Sequence, residues 1–303
     1  MRKIIGSLIV LAVIAAVVLW FLSAPGPLPQ SAFDGLSDPD PERGRQVFLA
    51  GGCTSCHAAP DAEGEDKLIL SGGLAIESDF GVFHAPNISS DPNAGIGGWS
   101  FADFANAMKA GVGARGEHLY PSFPYTSYTR MTMADLNDLF AYMQTLPASS
   151  EASLGHDLPF PFNIRRGLGL WKMLYLKDGP VVDLAGADEQ VARGQYLVEG
   201  AGHCGECHTP RDMIGGLKRA AWLSGAPNPD GPGVIPNITP DGGVASWSAA
   251  DIAYYLESGF TPDFDSVGGS MVAVQKNFAE LPASDREAVA AYLKAIPGHP
   301  DGY

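Results

Sequence analysis

The sequence has 303 residues, 46% of them hydrophobic and only 17% charged, enough apolar material for one large core or two ordinary ones. Gly (37) and Pro (24) are too frequent for a regular helical bundle yet fall short of a disordered composition, so short helices joined by long structured loops are expected. The formal net charge of −15, with no basic run beyond Arg2-Lys3, argues against a nucleic-acid partner, which demands clustered Lys and Arg. The acidity fits both solubility and steering toward a basic face on a partner.

The chain opens with Arg2-Lys3 and then runs uncharged from Ile4 to Leu22. As a helix this stretch would span roughly 28 Å, close to a bilayer core. Trp20 and Phe21 stand at its far end, where aromatic residues favour the membrane interface. Cationic residues stay on the cytoplasmic side, so everything after the helix is expected in the periplasm. A cleaved signal peptide is the competing reading. The apolar run is longer than a signal core, however, and no Ala-x-Ala site follows it. Residues 1–23 are therefore read as an inner-membrane anchor, and residues 24–40, rich in Pro, Ser and Asp, as a tether.

Residues 41–150 form the first candidate domain. Arg43-Gly44 precedes Cys53-Thr54-Ser55-Cys56-His57, and Pro86-Asn87-Ile88-Ser89 and Trp99-Ser100 follow. Ser100 reads as the N-cap of a helix ending at Gly111, and Thr132 with Asp135 as the start of another that stops near Pro147. Residues 151–186 contain Pro159-Phe160-Pro161-Phe162 and Trp171 to Leu176, too apolar for a free linker, and are read as a strap across two domains. A surface for the membrane or a partner is the alternative. Residues 187–303 then repeat the first pattern. Arg193-Gly194, Cys204-Gly205-Glu206-Cys207-His208, Pro236-Asn237-Ile238-Thr239 and Trp247-Ser248 recur at nearly the same spacings, with a helix ending at Gly259 and a last one before Pro297. No sustained alternation supports a substantial sheet.

All four cysteines fall in the two Cys-x-x-Cys-His segments, the attachment signature of a c-type haem. Two thiols a helical turn apart each form a thioether to a vinyl group, and the next residue brings an imidazole to the iron. A redox dithiol, a disulfide or a split zinc site would leave both histidines unexplained. Two covalent haem c groups are expected, on Cys53, Cys56 and His57 and on Cys204, Cys207 and His208.

An electron-carrying iron needs a ligand opposite its histidine, and a thioether raises the potential. Met271, in a Gly-rich loop before the last helix, is the candidate in the second half. Counting back from the matching helix in the first half reaches Pro121 and Phe123, neither able to bind iron. Met131, just before the Thr132 cap, is the favoured ligand there, with Met133, His118 or an open site as alternatives. Met108 and Met143 read as core. No role is assigned to His84, His156 or His299, and His203 is too close to Cys204 to reach the same iron.

From about Arg43 to Pro297 these motifs, with Tyr120-Pro121-Ser122-Phe123-Pro124-Tyr125-Thr126-Ser127-Tyr128, resemble the diheme members of the cytochrome c family. Those members serve as subunits of bacterial periplasmic dehydrogenases, and the membrane-bound alcohol and gluconate types are the most similar. The resemblance implies an all-α fold of two tandem class I cytochrome c domains with His/Met haems. It also implies that the Pro86 and Pro236 carbonyls orient the ligand imidazoles. The alcohol type carries Met where this chain has Phe123, which makes Met131 the replacement. That type also has three haems, so a different complex, with a molybdenum or flavin subunit, is a further reading.

The function expected is electron transfer from a periplasmic dehydrogenase to a quinone or terminal oxidase, with no catalytic acid, base or nucleophile. The alternative is a diheme enzyme, such as a peroxidase or a thiosulfate-oxidising cytochrome. It would need an open iron with acid or base groups beside it, and no convincing candidate stands out. A haem-based gas sensor would need an output domain for which the chain has no room.

Overall fold

The computed structural model describes residues 2–229 and 231–303. Helix α1 (Arg2–Leu22) stands apart, and its Lys3–Leu22 stretch is unburied and long and apolar enough to cross a membrane. The rest is mostly helical: α2 (Pro41–Ala50), α3 (Cys53–His57), α4 (Phe101–Ala105), α5 (Tyr125–Tyr128), α6 (Met133–Met143), α7 (Gly167–Tyr175), α8 (Glu189–Tyr196), α9 (Gly205–His208), α10 (Ala249–Ser258), α11 (Met271–Ala279) and α12 (Ala283–Ala295). Two short antiparallel hairpins, β1 (Ala75–Ser78) with β2 (Gly81–His84) and β3 (Ala226–Pro227) with β4 (Val234–Ile235), are the sheets among the described residues.

The paired Arg-Gly segments of the repeat mark a helix crossing in each half. Asp40 accepts hydrogen bonds from the Glu42 and Arg43 amides to cap α2, and Pro41 pre-sets its first turn. Helix α2 then crosses α6 so closely that a Cβ on Gly44 would lie 2.0 Å from the Asp138 carbonyl oxygen. In the second half α8 crosses α12, and a Cβ on Gly194 would lie 1.9 Å from the Ala288 oxygen. Only glycine permits either approach. Phe48, Leu136 and Leu139 of the first half and Leu197, Val289 and Leu293 of the second belong to one continuous buried cluster.

Helices α4 and α10 start in the same way. Ser100 and Ser248 each cap the amide three residues on, and Asp103 and Asp251 return the bond. Both runs end at a left-handed glycine, Gly111 and Gly259. In the first half the last turn, Asn106–Ala110, widens to a π-helix; in the second the π turn follows α8 instead, at Leu197–Ala201. Sequence patterning foresaw neither.

Residues 24–40, expected to hang as a tether, lie along the first half. The Leu28 amide donates to Asn106 Oδ1 (2.7 Å), Phe33 meets Phe101 edge-on (6.0 Å between centroids), and the Asp40 amide donates to Asp138 Oδ1 (2.6 Å). The base of α1 is fixed as well. Buried Ser23 accepts from His118 Nε2 through its carbonyl (2.9 Å) and from Arg166 Nε through its hydroxyl (3.0 Å). The Arg166 guanidinium lies 4.2 Å from the Trp20 ring centre, and Gly169 of α7 abuts the Ser23 backbone.

Residues 151–186 pack against both halves. Asp157 bridges Val82, Tyr120 donates to the Phe162 carbonyl (3.0 Å), and Trp171 Nε1 donates to the Ile214 carbonyl (2.8 Å). Farther along, the Val181 and Val182 amides donate to the carboxylate of Glu199, which is 1% exposed. Tyr292 of α12 donates to the same carboxylate (2.7 Å), and Arg130 of the first half lies 3.8 Å from it.

Candidate haem sites

Each Cys-x-x-Cys-His segment forms a single helical turn. Cys53–His57 makes up α3, entered through left-handed Gly52, and Cys204 caps α9. His57 Nδ1 donates to the Pro86 carbonyl at 2.9 Å, and His208 Nδ1 to the Pro236 carbonyl at 2.8 Å. That bond fixes the tautomer and leaves the Nε2 lone pair of each imidazole free to donate to a metal.

The loops that present the two carbonyls are held by one buried side chain apiece. Asn87 donates to the Ser149 and Glu151 carbonyls and accepts from the Ser89 amide. Asn237 donates to the His299 carbonyl and to Asp301 and accepts from the Thr239 amide. The support behind each imidazole is therefore built twice on one plan.

Burial pushes the Cys53 and Cys204 thiols up to about 12. A reactive dithiol needs the opposite shift. Burial lowers both His57 and His208, against the opposing pull of the proline carbonyls, which favours the neutral, ligating imidazole. With four thiols, two oriented imidazoles and half-buried surroundings, the residues fit two haem c groups.

The two segments meet. His203 Nε2 lies 3.2 Å from the Gly51 carbonyl oxygen, and the rings of His203 and Tyr128 pack edge to face at 5.6 Å. Thr126 and Ser127 of α5 donate to Glu206 Oε1 inside the second motif, at 3.0 and 2.8 Å. Burial pushes Glu206 up, but Arg211 at 2.6 Å and Ser127 outweigh it and hold the carboxyl below its usual range. In the reciprocal direction α11 of the second half packs on α2, beside the first motif. His203, assigned no role from sequence, thus sits at the junction. A histidine next to a cysteine carries no sign of a partner this far away in the chain.

Met271 begins α11, half-buried against the core. The loops leading to it share one register in both halves. Val112 bridges His118 as Phe260 bridges Ser266, and the Leu119 amide donates to Gly111 as the Val267 amide does to Gly259, at 2.8 and 2.7 Å. Met271 lies five residues after Ser266; five residues after His118 lies Phe123. Met131 stands elsewhere. It is 2% exposed, precedes the cap of α6 as Leu281 precedes α12, and its Cγ would be 3.9 Å from a Cβ on Gly200. His118 has both nitrogens engaged, with Ser23 and with Lys172 Nζ at 3.1 Å. Met108 and Met143 are core residues.

The family model described as Cytochrome c matches residues 41–147. Over 298 residues the chain is 51% identical to a diheme cytochrome c-type protein of Cereibacter sphaeroides, covering 98% of each. It is 37% identical to the fructose dehydrogenase cytochrome subunit of Gluconobacter japonicus, over 89% of this chain and 54% of that protein. With the gluconate 2-dehydrogenase cytochrome c subunit of Pantoea cypripedii it shares 32% identity, over 93% of this chain and 64% of the relative. The chain thus spans 54–64% of the length of these dehydrogenase subunits, while it matches the Cereibacter protein over 98% of its length. Two attachment turns on one plan and a relative alike across nearly its whole length lead to one conclusion: the chain belongs to the cytochrome c family.

Proposed function

We propose that this chain is a membrane-anchored electron carrier with two covalent haem c groups. Cys53 and Cys56 attach the first, with His57 as its ligand; Cys204 and Cys207 attach the second, held between His208 and Met271. Haem c supplies the one-electron chemistry. The chain orients the imidazoles through Pro86 and Pro236, surrounds the groups with apolar residues, and holds the two attachment turns against each other. The observation that carries the reading is that last contact, His203 to Gly51 with Tyr128 beside it. Electron transfer between two centres needs them close and rigidly related, and nothing in it needs an acid or base.

The dehydrogenase subunits among the relatives suggest the donor, a membrane-bound dehydrogenase on the periplasmic side, and a quinone or terminal oxidase is the acceptor. Helix α1 anchors the chain in the inner membrane, with the haem sites in the periplasm. The test begins with the mass and haem content of the purified chain. Two covalent haems are expected, one after Cys53→Ala with Cys56→Ala, and one after the matching pair at Cys204 and Cys207. The reduced protein should then be reoxidised by membranes that hold a respiratory oxidase. Rapid peroxide turnover by the isolated chain would sink the carrier reading and favour a diheme enzyme.

A further inference from the structure

The register shared by the two loops places Phe123 where the second half has Met271, and a benzyl group donates nothing to iron. Two other donors, His118 and Met131, are occupied or displaced. His118 is held through both nitrogens, and Lys172 also donates to the Ala110 and Gly111 carbonyls, at 2.8 and 2.6 Å, which fixes this group behind the loop. Met131 is sealed against the second half in the place of Leu281, its carbonyl accepting from Lys109 Nζ at 2.6 Å. Phe123 packs edge-on against two aromatic rings, Tyr128 at 5.5 Å and Tyr125 at 6.4 Å. This aromatic wall, with Phe123 half-buried and Tyr125 and Tyr128 buried, excludes bulky and charged ligands but admits a small neutral donor.

We propose that the first haem receives no thioether from the protein and that its distal face, walled by Phe123, is a binding site for a small neutral donor. The second haem, closed by Met271, is not. The proposal rests on the haem attachment proposed above. It also orders the two centres: a thioether raises the potential, so the first is the lower of the two, and electrons run from the first half to the second.

The test uses the full holoprotein and two readouts, the weak absorption band of thioether sulfur on ferric iron and the Soret shift on adding imidazole or, after reduction, carbon monoxide. The parent should show one thioether-bound iron per chain and bind one imidazole or carbon monoxide per chain. Met271→Ala should abolish the band. Met131→Leu, which installs the residue found at the matching place in the second half, should leave both readouts unchanged. Phe123→Met should raise the thioether count from one to two, remove the ligand-binding site and raise the lower midpoint potential. Two thioether-bound irons in the parent, or a band lost in Met131→Leu, would overturn the proposal. Should Phe123→Met fail to fold, the ligand stoichiometry of the parent still decides: no binding at moderate imidazole or under carbon monoxide overturns it. A parent that carries no covalent haem would instead sink the attachment reading itself, and this proposal with it.

Discussion

At Asn237 a single side chain ties the loop after β4 to the C-terminal segment, through donors to His299 and Asp301 and an acceptor for Thr239. Each such buried bond contributes about 1 kcal/mol, and an orphaned partner adds its desolvation cost. Asn237→Ala should therefore lower stability by about 2–3 kcal/mol, read as a shifted denaturant midpoint, and loosen the carbonyl that orients His208. His118 gives a pH prediction. Burial, with Lys172 and Arg166 nearby, holds its imidazole below the ordinary 6.5 in the folded chain. As pH falls the unfolded chain takes the proton first, so this group withdraws stability below about pH 6.5, down through its folded value, and is neutral in effect above. The melting temperature of the parent should drop more steeply on acidification through that window than that of His118→Gln; parallel curves would refute the assignment. The cysteines, the imidazoles and the paired Pro-Asn segments were legible because their chemistry fixes their spacing. His203 and Glu206 were not, because what they touch lies in the other half of the chain.

The tightest constraint among the helices is the crossing of α2 with α6 and of α8 with α12. A methyl group at Gly44 or Gly194 would have to push two packed backbones apart, and overpacking of this kind costs about 1–3 kcal/mol or more. Gly194→Ala should lower the melting temperature markedly, whereas alanine at Gly155, which has open space around it, should leave it unchanged. Scanning calorimetry on both variants separates the two cases. Helix starts were readable because a cap is a local event; Ser100, Thr132 and Ser248 all cap as their neighbours require. The course of residues 24–40 was not. Its Pro, Ser and Asp content describes a segment without regular structure, and says nothing of Phe33 finding Phe101 or Asp40 finding Asp138.

Over the whole molecule, Glu199 joins three parts: the strap through Val181 and Val182, α12 through Tyr292, and the first half through Arg130. Removing one partner of a buried charge pair costs about 3–5 kcal/mol. Glu199→Ala should fall in that range, less what Arg130 keeps through the Thr126 and Gly179 carbonyls, and should change the relation between the two halves, visible as a shift in scattering radius. By contrast the exposed Arg45 to Glu280 pair also spans the halves, at 2.5 Å, yet Arg45→Ala should cost well under about 1 kcal/mol because solvent screens it. The duplication was visible in the sequence; the way each half covers the other's motif was not, since it depends on pairings between segments far apart in the chain.

The lock at Ser23, where His118, Arg166 and Gly169 meet the foot of α1, governs how such a molecule can search for others. With α1 seated in a bilayer, the body above it behaves as a mast and not as a buoy on a line. It can drift sideways and spin about the membrane normal, but the heights of its two Cys-x-x-Cys-His turns above the lipid stay constant. Any protein that trades electrons with it must present a redox centre at one of those heights, and lengthening residues 24–40 would not widen the reach.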